Sequence, residues 1–168
     1  IGGVYLDLFP REGQYNHAAV WPVRNASALL GRTPIPVLVT NLNRDGLDQN
    51  ELETLLHEFG HALHGLLSTA QFNAQAGTSV KRDFVEAPSQ MFEEWARREE
   101  PLKFFAQVCG PSCPALSKEQ IEQLDKARKF GRGIRYMGQW SYAMLDMALT
   151  HNRADADAMA AWKRIQGQ

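Results

Sequence analysis

The chain has 168 residues, of which 44% are hydrophobic, enough to bury one core, so a single domain is expected. Its formal net charge of -1 gives no electrostatic reason to expect a nucleic acid or an anionic membrane surface as a partner. No run of about eighteen apolar residues occurs and no signal peptide is visible, so the composition predicts a soluble, cytoplasmic protein.

Two strands are predicted near the start, at residues 4 to 9 and 36 to 41, and they are expected to form a small antiparallel β element. The second strand is a candidate for pairing with an extended peptide, with Asn41 on its edge; a purely structural strand is the alternative. Trp21-Pro22 and residues 34 to 36 indicate loop. His17 is interpreted as structural, because a lone histidine usually is.

A long helix is predicted from about residue 48 to residue 68. Asp48 and Glu51 have the spacing of a capping box, and Asp45-Gly46 before them indicates a turn. On a helical wheel four apolar residues fall within about 60° of Leu52; they are Leu55, Phe59, Leu63 and Leu66. The wheel therefore predicts one core face on this helix.

The opposite face carries histidines. His57 and His61 lie about 140° and 180° from Leu52, one helical turn apart, and Glu58 follows the first of them. This His-Glu-x-x-His spacing is typical of zinc hydrolases, in which the histidines bind the metal and the glutamate acts as general base. Two histidines without a metal are the alternative interpretation.

A hydrolytic zinc ion takes about three protein ligands and leaves one position for water, so a third ligand is needed. His64 is an unsuitable candidate, because it lies about 10.5 Å along the helix axis from His57. The longer zinc motif, which has a third histidine six residues after the second, is also absent, since position 67 is Leu67. A carboxylate from another segment is therefore expected.

Residues 82 to 95 contain a candidate, Glu86, on a second predicted helix with Asp83 as a plausible cap. Phe84, Met91, Phe92 and Trp95 have helical spacing, and an acidic residue that packs among them needs a partner such as a metal. Pro88 is tolerated only near the first turn, which leaves the start of the helix open by several residues. An ordinary solvated glutamate is the alternative.

Three segments together resemble the thimet oligopeptidase family of zinc metallopeptidases. They are residues 5 to 13, 57 to 64 and 83 to 91, with the sequences YLDLFPREG, HEFGHALH and DFVEAPSQM. The resemblance implies that His57, His61 and Glu86 bind one Zn²⁺ and that Glu58 is the general base. It also implies a mainly helical, zincin-like catalytic subdomain with two active-site helices, and oligopeptides as substrates.

The resemblance implies further that residues 1 to 168 are the central, zinc-binding part of a larger metallopeptidase domain. In the family a glycine-rich segment bearing tyrosine and histidine binds substrate and stabilises the oxyanion, and it would lie beyond Gln168. Loss of oxyanion stabilisation costs about 10²–10³ in rate. We therefore expect the chain to bind zinc with weak or no peptidase activity.

Two acidic residues are candidates for holding the ligating imidazoles in orientation. Glu53 precedes His57 by one turn, and Glu93 follows Glu86 by two turns. A solvent-exposed helix glutamate is the alternative for each.

Residues 69 to 81 show little periodicity and are predicted to be a connecting loop. Cys109 and Cys113 flank Gly-Pro-Ser; no further metal ligands lie nearby, so free thiols are the main interpretation and a local disulfide the alternative. Free thiols indicate no oxidising compartment.

Two helices are predicted between Ser117 and His151, the first with Ser117 and Gln120 as a capping box. Basic residues between 126 and 135 are interpreted as a solvated face. The apolar stripe comprises Tyr136, Trp140, Met144 and Met147. If it lacks natural neighbours, it would promote self-association, and a homodimer is a candidate.

Two functional hypotheses follow. The first is a zinc-dependent endopeptidase or peptidyl dipeptidase, a choice that the sequence leaves open. The second is a catalytically silent fragment or pseudo-enzyme that only binds metal or partners. Metal analysis combined with an activity assay separates them.

Overall fold

A computed structural model describes residues 2–113, 116–151 and 157–167. The chain is mainly helical, as predicted, and divides into two compact units, Ile1–Lys118 and Glu119–Gln168. In the described ranges the strands are β1 (Tyr5–Asp7), β2 (Ala19–Arg24) and β3 (Ile35–Val39). The α-helices are α1 (Gln49–Leu66), α2 (Ala87–Glu93), α3 (Glu99–Cys109), α4 (Lys118–Lys129), α5 (Arg132–His151) and α6 (Ala158–Gln166). Short 3₁₀ turns lie at Asn73–Gln75, Glu94–Arg97 and Gly110–Ser112.

The sheet has the order β1-β3-β2 and is mixed: the two predicted strands, β1 and β3, pair parallel and not antiparallel as expected. β1 runs parallel to β3, with Tyr5 opposite Val37, and β2 runs antiparallel to β3, with Ala19 opposite Val39. A parallel pair needs a long connection between its strands. Here the connection from β1 to β3 contains β2, so β3 can enter the sheet in the same direction as β1.

β2 was not predicted, since Trp21-Pro22 indicated loop. Proline is compatible with an outer strand, where its missing N–H leaves no ladder bond unmade, and the pairing is irregular between Pro22 and Arg24. The side chains of Trp21 and Val23 are exposed. The strand therefore lacks both the proline-free run and the one-sided burial that mark strands in sequence.

β3 is the central strand, so Asn41 does not lie on a free sheet edge, as one interpretation had it. Leu38 and Thr40 are fully buried. Asn41 follows the strand, and its side-chain amide donates a hydrogen bond to the carbonyl oxygen of Tyr15 at 3.1 Å. A peptide that adds to this sheet by strand pairing would have to use an outer strand.

The start of α1 is the predicted capping box. The Asp48 carboxylate accepts from the backbone N–H of Glu51 at 2.8 Å, and the Glu51 carboxylate accepts from the backbone N–H of Asp48 at 2.9 Å. Glu51 also accepts from the N–H of Asn43, which ties the preceding loop to the helix. Local sequence therefore determines where this helix begins.

Burial of α1 extends further round the helix than the wheel predicted. Leu56, Glu58, Gly60 and Ala62 are its buried residues, whereas Leu55, Phe59 and the other members of the predicted face are only half-buried. On the wheel Glu58 lies about 240° from Leu52, turned away from the predicted core face, but in the structure it is buried. The helix packs against both the sheet and α2, so more than one face is covered.

α2 is shorter than predicted and begins at Ala87, with Glu86 at its N-cap position. Asp83 is therefore not the cap, but Pro88 does lie in the first turn, as expected. The helix crosses α1 closely at Gly60. A Cβ atom at Gly60 would lie 2.7 Å from Cα of Ser89 and 2.9 Å from the carbonyl oxygen of Pro88.

The segment from 69 to 81 is the predicted connection, irregular apart from the 3₁₀ turn at Asn73–Gln75. The expectation of free thiols was wrong: Cys109 and Cys113 form a disulfide. A positive φ of 76° at Gly110 turns the chain after α3 and brings the two Cα atoms to 5.6 Å, within the usual range for a disulfide.

The second unit contains the two predicted helices, α4 and α5, and α6, which was not predicted. Trp162 of α6 stacks on Tyr142 of α5 at 5.6 Å between ring centroids. Arg128 and Lys129 of the basic run form ion pairs with Asp125. None of the described helices has the length and apolarity needed to cross a membrane.

Candidate metal centre

His57 and His61 project from adjacent turns of α1 towards the start of α2. Their rings meet edge to face, with 4.9 Å between centroids. The side chain of His61 is 11% exposed and that of His57 is 25% exposed. The helical spacing of four residues thus gives two imidazoles a common direction.

Glu86 completes a cluster with these two histidines. Its Oε2 atom lies 3.2 Å from Nε2 of His57 and 3.0 Å from Nε2 of His61. The three side chains together offer three ligand atoms within 4.8 Å of one another. The structure therefore brings together all three residues that the sequence suggested as ligands.

The spacing of these atoms fits a zinc ion. Two ligands at 2.0–2.1 Å from a tetrahedral zinc are separated by about 3.3 Å, close to the distances in the cluster. Two imidazole nitrogens and a carboxylate oxygen are also a ligand set that zinc hydrolases use. The Glu86 side chain is 50% exposed, so the cluster opens to solvent, which a water ligand and a substrate require.

Two pKa values are shifted within the cluster. Burial lowers the pKa of His61, although the attraction of Glu86 opposes this shift. The lowered pKa favours the neutral imidazole, which is the form that binds a metal. Burial would raise the pKa of Glu86, but the hydroxyl of Ser89 and the imidazoles of His61 and His57 outweigh it, so this pKa is lowered. Both shifts favour the protonation states that ligands need.

Glu58 lies beside the cluster and is only 7% exposed. Burial raises the pKa of its carboxyl above the ordinary value; His57 opposes this shift and Glu86 adds to it. A carboxyl whose pKa is raised towards neutrality is better suited to take up and release a proton.

Of the two candidates for orienting the imidazoles, Glu93 contacts His57. Its Oε1 lies 2.7 Å from Nδ1 of His57. Glu53 instead forms a bidentate ion pair with Arg97, at 2.8 Å and 2.6 Å. Sequence reasoning missed Arg97: its contacts with Glu93 and Glu94 have ordinary helical spacing, and the pair with Glu53, 44 positions away, leaves no local pattern.

Ser89 was also missed. It is fully buried, and its Oγ lies 3.0 Å from the carbonyl oxygen of Glu86 and 2.9 Å from Glu86 Oε2. A serine three residues after a candidate carboxylate ligand, on the same helix start, was the available signal.

Two further histidines lie outside the cluster. His64, rejected as a ligand on geometric grounds, is not among the converging donors in the described residues; its ring lies 6.3 Å from that of Phe84. His17 packs 5.5 Å from the ring of Tyr15 and lines a cavity of about 270 Å³ with Asp48 and Glu51.

The model of peptidase family M3 matches residues 1–167. A thimet-like oligopeptidase from Dictyostelium discoideum is 34% identical over 160 residues, which cover 89% of this chain and 24% of the relative. Saccharolysin from Saccharomyces cerevisiae is 37% identical over 88% of this chain and 22% of its own length.

A dipeptidyl carboxypeptidase from Escherichia coli K12 is 31% identical over 162 residues, 91% of this chain and 24% of the relative. The chain thus spans about a quarter of the length of the curated relatives it matches. The long match in several relatives extends well beyond the histidine motif.

Proposed function

The chain belongs to peptidase family M3, and from this membership we propose that it forms the zinc-binding part of a metallopeptidase that hydrolyses peptide bonds in short oligopeptides. In this proposal residues 1 to 168 are a zincin-like catalytic subdomain of a larger peptidase domain, with α1 and α2 as the two active-site helices. His57, His61 and Glu86 are the ligands of one Zn²⁺, and Glu58 is the general base.

The observation that carries the proposal is the convergence of three donor atoms. Nε2 of His57 and Nε2 of His61 lie 3.2 Å and 3.0 Å from Oε2 of Glu86, near the separation of two ligands on one zinc ion, and the ligand atoms of the cluster all lie within 4.8 Å of one another. The ion, when bound, would supply Lewis acidity, lowering the pKa of water and polarising the scissile carbonyl.

The chain's own residues supply the proton transfers and the positioning. Glu58 accepts the proton of the attacking water and later passes it to the leaving amine, for which its raised pKa is suited. Glu93 accepts a hydrogen bond from Nδ1 of His57, which leaves Nε2 of that ring free to act as ligand.

The second candidate function is metal binding without turnover. It applies to these 168 residues produced by themselves, which span about a quarter of the length of the relatives. Within the peptidase proposal, relatives include both an oligopeptidase and a dipeptidyl carboxypeptidase. Analysis of the products from a longer peptide separates internal cleavage from removal of C-terminal dipeptides.

The test combines metal analysis with a fluorogenic peptide assay on the chain. We expect one zinc per chain, retained in Glu58→Gln and lost in His61→Ala. His64→Ala is the matched control, because it removes a histidine from the same helix outside the donor cluster; zinc should be retained.

Any turnover of the wild-type chain should fall by about 10²–10⁴ in Glu58→Gln, the range of a lost general base. Zinc without turnover would support the second candidate. A chain that takes up no zinc after metal-free preparation and reloading would contradict both.

A further inference from the structure

We infer that Arg97 is a positioning residue of the metal centre, which fixes the Glu93 carboxylate against the ring of His57. The inference rests on the proposed function, because it concerns the orientation of a proposed zinc ligand. It assigns a role to a residue that neither the histidine motif nor the Glu86 segment contains.

The first step is the contact between Glu93 and His57. Nε2 of His57 faces Glu86 at 3.2 Å, and Nδ1 on the other side of the ring lies 2.7 Å from Oε1 of Glu93. A neutral imidazole that offers Nε2 to a metal carries its proton on Nδ1, so Glu93 accepts that hydrogen bond. The position of the carboxylate thus determines the direction of the ring.

The second step is the contact of Arg97 with the other oxygen of the same carboxylate. Nη2 of Arg97 lies 3.4 Å from Oε2 of Glu93. Glu93 is the last residue of α2 and 25% exposed, so an unrestrained side chain there would sample several rotamers. Contacts at both oxygens restrict the carboxylate to one orientation.

The third step is the restraint on Arg97 itself. Its Nε and Nη2 atoms donate to the two oxygens of Glu53 at 2.8 Å and 2.6 Å, and its Nη1 donates to Glu94 at 2.9 Å. The side chain is 15% exposed, and hydrogen bonding to Glu53 raises its pKa further, so it stays charged. The guanidinium is therefore a fixed cation that joins α1, the end of α2 and the 3₁₀ turn.

The planar fork of arginine is what this arrangement uses. One edge of the planar guanidinium, formed by Nε and Nη2, binds Glu53 in a bidentate pair, while Nη2 also reaches Glu93. A lysine ammonium is a single point charge and does not reproduce this geometry. Gln49 adds a second link between α1 and the 3₁₀ turn that contains Arg97, since its side-chain amide donates to the carbonyl oxygen of Ala96 at 2.9 Å.

The experiment measures the zinc dissociation constant of the full chain by competition with a chelator, for wild type and Arg97→Gln. We expect affinity to fall about tenfold, the lower end of the range for direct partners of a ligand, because Arg97 acts through Glu93. Arg98→Gln is the matched control: Arg98 is the next residue, is 67% exposed and lies 3.8 Å from Glu94. Its zinc affinity should equal that of wild type.

A double-mutant cycle separates positioning from general support of the fold. Glu93→Gln alone should lower zinc affinity, and adding Arg97→Gln to it should change affinity by less than about twofold, because the residue through which Arg97 acts is already altered. Thermal unfolding of the metal-free proteins is recorded alongside. If Arg97→Gln does not fold, Arg97→Lys retains the charge without the fork, and its affinity should lie below that of wild type.

Three results would overturn the inference. The first is equal zinc affinity of the folded Arg97 variant and wild type. The second is an equal loss of zinc affinity from Arg97→Gln in the wild-type and Glu93→Gln backgrounds, since this would assign Arg97 a purely structural role. A wild-type chain that binds no zinc would overturn the proposed function and this inference with it. If wild type binds zinc and the Arg97 results fail, only the inference on Arg97 is contradicted; if wild type binds no zinc, the proposed function is contradicted as well.

Discussion

Ser89 shows how a single buried side chain prepares the candidate ligand Glu86. Its hydroxyl lies within hydrogen-bonding distance of both the carbonyl oxygen and Oε2 of Glu86, and it is fully buried where α2 crosses α1. Glu86 itself is half exposed, and its Oε2 otherwise faces the imidazoles of His57 and His61. The serine therefore limits the rotamers of this half-exposed residue.

We expect Ser89→Ala to lower zinc affinity by up to about tenfold, because it removes the hydrogen bond to the Glu86 carboxylate. The free energy of unfolding should fall by about 1 kcal/mol, the usual value of one hydrogen bond. Chelator competition and urea unfolding measure the two effects. Gln90→Ala, at the exposed neighbouring residue, is the control; unchanged zinc affinity in Ser89→Ala would contradict the assignment.

At the scale of elements, the close crossing of α1 and α2 brings the two halves of the site together. The histidines lie on α1 and the carboxylate lies at the start of α2, so the distance between the helices decides whether the donors converge. Gly60 permits this approach, because any side chain there would meet the backbone of Pro88 and Ser89. The glycine inside the motif thus has a packing role.

Gly60→Ala tests the crossing. The added methyl group would force α2 away from α1, and such overpacking costs about 1–3 kcal/mol, against a gain in helix propensity of about 1 kcal/mol. We expect a lower free energy of unfolding together with weaker zinc binding, as Glu86 moves away from the histidines.

Gly65→Ala on the same helix is the matched control, since nothing lies within 4 Å of its added Cβ. It should be neutral or stabilising through helix propensity alone. If Gly60→Ala bound zinc as tightly as Gly65→Ala, the close crossing would not matter for the site.

At the scale of the whole molecule, the chain divides into a unit that contains the metal centre and a unit of three helices. The second unit exposes a large apolar surface on α5 and just before it. Phe130 and Ile134 are 91% and 82% exposed, and Tyr136, Met137 and Met147 are each more than half exposed. Apolar surface of this extent favours association.

We predict that the chain self-associates in a concentration-dependent way, for which a homodimer is the simplest form. Ile134→Glu should weaken association, because burying the new carboxylate would cost free energy. Gln139→Glu adds the same charge at an exposed polar position of α5 and should leave association unchanged. Sedimentation velocity at several concentrations measures the effect; a wild-type chain that stays monomeric throughout would contradict the prediction.

Local sequence predicted those features that depend on neighbouring residues. The capping box of Asp48 and Glu51, the span of α1 and the shared direction of His57 and His61 follow from helix geometry alone. β1, β3, α4 and α5 were likewise found from periodicity and turn residues. Glu86 was found because a carboxylate ligand was needed and the segment resembled a known family.

The tertiary structure decided the features that depend on contacts between distant residues. The sheet order and the central position of β3, the crossing at Gly60, and the ion pair of Arg97 with Glu53 each join separate segments. The sequence by itself thus determined two histidines, a base and the helix that presents them. Only the packing of α2 and the 3₁₀ turn after it against α1 placed Glu86, Ser89 and Arg97 around them. The separation of these segments is set by side-chain volume and charge pairing across the fold.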